Sequence, residues 1–307
     1  MDGDTLLVGE QGSGRIATLN DPQGRDHLTG SVPLVEGIAR IGADLYVGDQ
    51  QSDRVVVLNP DGSLRPFLQL QPVAGVEGVD GIYSDGKQLL VPDAARGRVL
   101  WVSTDGQVQR TVTGFVRPVS AWPLADGSVL IAEENGGRVS RVAPDGSKSV
   151  VATGIPLADE AATSGDRTYA VSITNGTLVD IGHGNLVSGF KEIQGLEIDH
   201  AGNPVASDRG AGKVILAVTS FRLLPQGAAP AAVAGDQAIC IDLARGSGFA
   251  GAIELAPGKG YRVLKSPAGG NQGEVVADGS CSGDCMVGVK ATSGTLTDTL
   301  WLRLRIT

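Results

Sequence analysis

The sequence predicts an all-β chain, a six-bladed β-propeller followed by a small C-terminal β-sandwich. Three observations predict it. A ten-residue unit recurs six times, its spacing is that of a four-stranded blade, and the residues beyond 236 alternate apolar and polar positions without repeating the unit.

The unit reads LLVGEQGSGR (6–15), LYVGDQQSDR (45–54), LLVPDAARGR (89–98) and VLIAEENGGR (129–138), with looser copies TYAVSITNGT (168–177) and PVASDRGAGK (204–213). Successive copies lie 39, 44, 40, 39 and 36 residues apart, the length of one propeller blade. Each copy reads as strand, tight turn, strand. An alternating strand follows, as in RVVVLNP, RVLWVST and RVSRVAP, and then a turn at 60–63, 104–107 or 144–147. Asp-Gly in those turns supplies the positive φ that a hairpin needs. Before units two to six runs one more short strand: VEGIARIG, VDGIYSDG, VSAWPLADG, DEAATSGD and IQGLEIDHAG. Blade one begins at its second strand. Closure needs its inner strand from the stretch after Lys213 or from sequence upstream of Met1, and Asp2-Gly3-Asp4 reads as the remnant of an inter-strand turn.

Position five of the unit holds Glu10, Asp49, Asp93, Glu133, Ser172 and Asp208. Position ten holds Arg15, Arg54, Arg98, Arg138, Thr177 and Lys213. Blade five loses acid and base together, so the two are expected to pair across the turn, and the pairs are structural.

Composition bounds the function. The 307 residues suit two domains, with a propeller over 1–221, a linker over 222–236 and a sandwich over 237–307. The formal charge is −9 and the Lys and Arg residues are scattered, which argues against nucleic acid, whose binding needs clustered cations. No stretch approaches the roughly 18 apolar residues of a membrane span. The 45 glycines fall mostly at regularly spaced turns. No basic n-region or apolar h-region follows Met1. The three cysteines lack zinc-site spacing, and Cys281 and Cys285 are either a short-loop disulfide or two free thiols.

The repeat resembles NHL-repeat propellers, best over LYVGDQQSDRVVVL and GLEIDHAGNPVASDRGAGKVIL. That resemblance implies the fold and leaves function open, because propellers host enzymes, sensors and scaffolds. GFAGAIELA and VKATSGTLTDTLWLRLRI resemble bacterial immunoglobulin-like modules of secreted enzymes and adhesins.

Equivalent positions at the inner-strand starts form a ring around the propeller axis. They are Glu36, Asp80, Ser120, Glu160 and Gln194, with Glu77 and Asp159 adjacent. Such oxygen ligands suit calcium or another divalent cation. VDGIYSDG is similar to the Asn/Asp-Gly strand starts of calcium-dependent gluconolactonase and paraoxonase propellers, which places Glu36, Asp80, Glu160 and Gln194 as metal ligands. A hydrated polar mouth without metal is the alternative. Lyases of the virginiamycin-lyase kind need a funnel histidine, and His27, His183 and His200 all sit in turns. Trp122 lines the funnel or packs between blades. The sequence is thus expected to be a secreted or surface-exposed, extracellular or periplasmic module. It would bind a small molecule or protein at the channel mouth. The alternative is a divalent-cation-dependent hydrolase or lyase. No organic cofactor is implied.

Overall fold

The computed structural model describes residues 6–19, 32–225, 237–280 and 283–306. Six antiparallel sheets follow one another along the chain. The first holds β1 (Leu6–Glu10) and β2 (Arg15–Leu19). The second holds β3 (Val35–Ile41) and then Asp44–Asp49, Arg54–Leu58 and Leu64–Gln69. The third, fourth and fifth sheets have four strands each and begin at Tyr83, Pro118 and Ala158. The sixth has three: Ile193–Ile198, Pro204–Asp208 and Lys213–Leu216.

The repeat unit is a hairpin with one register. Asp49 faces Arg54, Asp93 faces Arg98, Glu133 faces Arg138, Ser172 faces Thr177 and Asp208 faces Lys213, as Glu10 faces Arg15. The expected pairing holds in the second, third and fourth sheets: Arg54 Nε lies 2.8 Å from Asp49, Arg98 Nε 2.7 Å from Asp93 and Arg138 Nε 2.7 Å from Glu133. These carboxylates are fully buried. They also tie down the chain entering the blade, since Glu133 accepts the Val116 N–H at 2.7 Å and Asp208 accepts those of Lys191 and Glu192 at 3.1 and 3.0 Å. Burial raises the Glu133 carboxyl, but the bonds from Arg138, Ser140 and Val116 outweigh it and hold the pKa below the usual range.

Apolar faces of consecutive sheets meet in five clusters. Leu7, Ile16, Val35 and Val47 join the first and second sheets, and Tyr46, Val57, Leu89 and Val91 join the second and third. Leu90, Trp101 and Ile131 follow, then Leu130, Val139 and Ala161, then Tyr169, Leu178 and Ile193. The alternation of each strand feeds both neighbours, as Leu89 and Leu90 show by entering different clusters.

Beyond the sixth sheet, the chain builds a four-stranded and a three-stranded sheet. Their shared cluster includes Phe221, Ile241, Val275, Val289, Leu302 and Leu304. In the last strand, Leu302 and Leu304 are buried while Trp301 is exposed, the expected one-sided pattern. The linker expectation differs from the structure at its start. Phe221–Pro225 is a strand paired with Ile239–Arg245, because Phe221 and Leu223 supply core side chains on one face. The remainder of that linker lies outside the described residues.

None of the described strands after Lys213 fills the inner place of the first sheet. Among the described residues β1 pairs with β2 alone. The buried Asn203 side chain ties the sixth sheet to the C-terminal sheets, accepting from Thr219 N and Ser220 N at 2.9 Å each and donating to the Phe221 carbonyl at 3.0 Å. Arg222 reaches Asp199 at 3.7 Å across the same junction and bonds Asp298 at 2.9 Å between the two C-terminal sheets. Cys285 is disulfide-bonded and Cys240 is a free thiol, while Cys281 lies outside the described residues. No helix is long and apolar enough to cross a membrane among the described residues.

Candidate functional site at the channel mouth

One irregularity repeats at the first strands of the second to sixth sheets. Val35 faces Asp49 but Gly37 faces Gly48, so Glu36 is left over as a bulge. The same extra residue falls between Pro118 and Ser120, between Ala158 and Ala161, and between Ile193 and Leu196. In the third sheet it falls between Val79 and Tyr83. A bulge re-aims a side chain, and these bulges carry Glu36, Asp80, Asp159–Glu160 and Gln194. Ser120 is paired opposite Ala132 and fully buried, and Val119 takes the bulge position of the fourth sheet.

A second layer comes from position six of the repeat unit. Its backbone N–H bonds the carbonyl just before the first strand in five sheets: Gln50 to Leu34, Ala94 to Gly78, Glu134 to Arg117, Ile173 to Leu157 and Arg209 to Glu192. Leu34, Arg117 and Leu157 adopt left-handed φ values of 53°, 53° and 48° there, a strain of roughly 1 kcal/mol each that the repeated hydrogen bond helps to hold. Position six thus stands beside the bulge residues. Gln11 donates to Glu36 and accepts from Arg209 at 2.7 Å. Gln50 donates to Asp80 at 3.1 Å. Arg117 pairs with Glu134, reaches Glu77 at 3.0 Å, and comes within 3.9 Å of Asp80.

The electrostatics follow from burial and crowding. Burial is the largest cause that raises Glu36 from 4.5 to about 7; Arg209 opposes it and Glu77 adds to it. Burial likewise lifts Asp80, Asp159 and Glu160 well above the usual range; Glu36 adds to all three, and Asp80 adds to Asp159 and Glu160. Tyr83 O–H lies against Glu160 and 3.2 Å from the Leu196 carbonyl. The phenol has one hydrogen, so both contacts are bonds only when Glu160 is protonated and donates to it. Geometry and burial agree that the cluster holds protons more tightly than ordinary carboxylates do.

The sequence-expected ligands reach one region without forming a chelate. Glu36, Glu160 and Gln194 line a cavity of about 720 Å³, and Asp80 is buried, bonded to Gln50 and the Gly81 N–H. No group of three His, Cys, Asp or Glu is placed to hold a metal among the described residues. Arg117 stands as the cation among Glu77, Asp80 and Glu134. No histidine lines the cavity among the described residues. His183 bonds Asp180 at 3.0 Å and is exposed, His200 lies where its carbonyl accepts from Thr297, and His27 lies outside the described residues. Trp122 meets Tyr83 edge-on at 5.2 Å and lines a separate 280 Å³ cavity. Sequence reading missed Gln11, Gln50, Arg117, Glu134 and Arg209. Four of them could have been found as position six, one step past the structural acid.

In sequence, no family model and no curated protein matches the chain. Solved structures do. A streptogramin B lyase superposes with TM-score 0.54 at 15% identity, covering 70% of this chain and 80% of that one. A chain of the nidogen/laminin complex gives 0.52 at 15% identity, covering 69% and 91%. The fold is a β-propeller. The extracellular domain of a hybrid two-component system from B. thetaiotaomicron gives 0.52 at 12% identity, covering 100% of this chain and 49% of that one. At these identities the likeness shows fold alone, and the propeller's activity has to be argued from its mouth.

Proposed function

We propose that the chain is a six-bladed, NHL-like recognition propeller with an immunoglobulin-like C-terminal module. It binds at its acidic mouth a small molecule or protein segment bearing a cationic group. The observation that carries this reading is the set of Glu36, Asp80, Asp159 and Glu160. Glu36 raises Asp80, and Asp80 and Glu36 together raise Asp159 and Glu160, beside a 720 Å³ cavity with no histidine among its described lining residues. An organic cation desolvated there would meet partly ionised carboxylates and drive off their protons. The disulfide at Cys285 supports an extracellular or periplasmic setting. The similar structures include both a lyase and a member of a protein–protein complex, and the described residues lining this mouth supply carboxylates, amides and a guanidinium, groups that suit recognition of a cation.

The second reading is a divalent-cation-dependent hydrolase or lyase. Carboxylate repulsion favours it, because a calcium ion would relieve it. The side chains as placed do not form its ligand set: Gln11 holds Glu36, Gln50 holds Asp80 and Tyr83 holds Glu160. Calorimetric titration with spermidine, arginine amide and calcium chloride, on wild type and on Glu36→Gln and Glu160→Gln, separates the two. Uptake of an organic cation that weakens at least about tenfold in both variants is expected. Calcium uptake lost in both variants, with no organic cation bound, would replace the recognition reading with the metal-dependent one.

A further inference from the structure

The outer face of the three-stranded C-terminal sheet carries an aromatic ring laid flat. Gly283–Ser293 and Leu296–Ile306 pair along their length, with Gly288 opposite Trp301. A Cβ at Gly288 would stand 2.9, 3.0 and 3.2 Å from Cζ3, Cη2 and Cε3 of Trp301. Three consecutive ring atoms at nearly one distance mean that the face of the indole, not its edge, rests on the glycine. The opposite face is left to water: Trp301 is 38% exposed, whereas Leu302 and Leu304, on the inner side of the same strand, are buried. The ring therefore covers no core.

Charge defines what stacks there. Two residues to either side of the Gly288–Trp301 pair, Arg303 faces Met286 and Lys290 faces Thr299. These two cations bracket the ring, about 13 Å apart along the strands. Neither carries an ion pair among the described residues. Asp284 is bonded by Arg305 at 2.6 Å, and Glu254 lies two strands away, opposite Thr292. In a chain of net charge −9, this face thus offers positive charge around a bare ring. We infer that it binds a uronate-bearing polysaccharide chain. One sugar ring sets its C–H face on the negative π-face of Trp301. Carboxylates of adjoining sugars meet Arg303 and Lys290, the guanidinium in a two-bond fork. A single-stranded nucleic acid needs successive stacking rings in a basic groove, and a membrane needs apolar side chains that sink into it. One ring pressed flat between two cations suits neither. The disulfide at Cys285, in the strand that seats the ring, fits an oxidising compartment. This site is independent of the channel mouth, because the two select opposite charges.

The test uses the full chain. Calorimetry measures binding of polygalacturonate, alginate and hyaluronan, three uronate chains of different linkage. Acrylamide quenching of tryptophan fluorescence locates it, since Trp301 is exposed while Trp101 is buried. The expected result is saturable binding of at least one chain, with quenching reduced. The carboxyl-esterified form of the bound chain binds at least about tenfold more weakly, and added salt weakens the acid form. Trp301→Ala and Arg303→Gln each lose at least about tenfold in affinity, and Trp301→Tyr recovers part of it. Gly288→Ala, whose Cβ lifts the ring, weakens binding although both cations remain. The inference is overturned by absence of binding to all three chains, by equal binding of acid and ester, by unchanged quenching, or by unchanged affinity in Trp301→Ala. Protection of tryptophan by oligodeoxythymidylate or by phosphatidylglycerol vesicles, with no uronate chain bound, overturns it too. The ester and quenching readouts use the wild-type protein, so they decide the matter even where a variant does not fold.

Discussion

Glu36→Gln removes a charge while keeping the reach of the side chain. Burial lifts the Glu36 carboxyl from 4.5 to about 7, against Arg209 and Arg117 and with Glu77 and Glu134. A difference of one in pKa between folded and unfolded states is worth about 1.4 kcal/mol, so this interval corresponds to roughly 3 kcal/mol. The folded state holds the proton more tightly than the unfolded chain does. The stabilisation is therefore complete below about pH 4.5 and is lost as pH rises through about 7. A neutral amide imitates the protonated acid at every pH. In urea denaturation from about pH 4.5 to about pH 8, wild type and variant are expected to be similar at the acid end. The variant becomes the more stable by up to about 3 kcal/mol at the alkaline end. A stability difference that stays constant with pH, or that grows toward acid, refutes the account of a buried, proton-holding Glu36.

Two further substitutions test the scaffold. Glu133→Ala takes the acceptor from Arg138 and from the Val116 N–H. Breaking a buried pair from one side costs about 3–5 kcal/mol, and Arg138 retains some access to water, so about 3 kcal/mol is expected by chemical denaturation. A loss below about 1 kcal/mol would mean that position five is an ordinary surface charge. Gly37→Ala places a Cβ against the backbone of Gly81 and Ile82 in the next sheet, so a cooperative thermal transition is expected to disappear. Gly12→Ala, with open space around it, is the control and stays within about 0.5 kcal/mol of wild type.

Local pattern and equivalence under the repeat were legible in the sequence. The ten-residue unit determined the hairpin register, because its fifth and tenth positions face each other in every copy and its acid and arginine pair in the second, third and fourth sheets, and joint loss at Ser172 and Thr177 marked them as one device. The alternation from Leu296 to Ile306 determined which face of the last strand is buried. Ring positions were legible to within one residue: Glu36, Asp80 and Gln194 stand at bulges as their strand starts suggested, whereas Ser120 sits one place beyond the fourth bulge. A bulge adds one residue on one strand only, so it leaves no period in a single strand and emerges only when two strands are paired. Tertiary structure alone decided the rest. Arg117 became the cation among Glu77, Asp80 and Glu134 because residues 77, 117 and 134 meet across two sheets. Phe221–Pro225 became a strand because it found Ile239–Arg245 to pair with. The carboxylates became proton-holding because closure of the sheets removed their water, and desolvation is a property of the enclosed site that no residue carries in its own sequence neighbourhood.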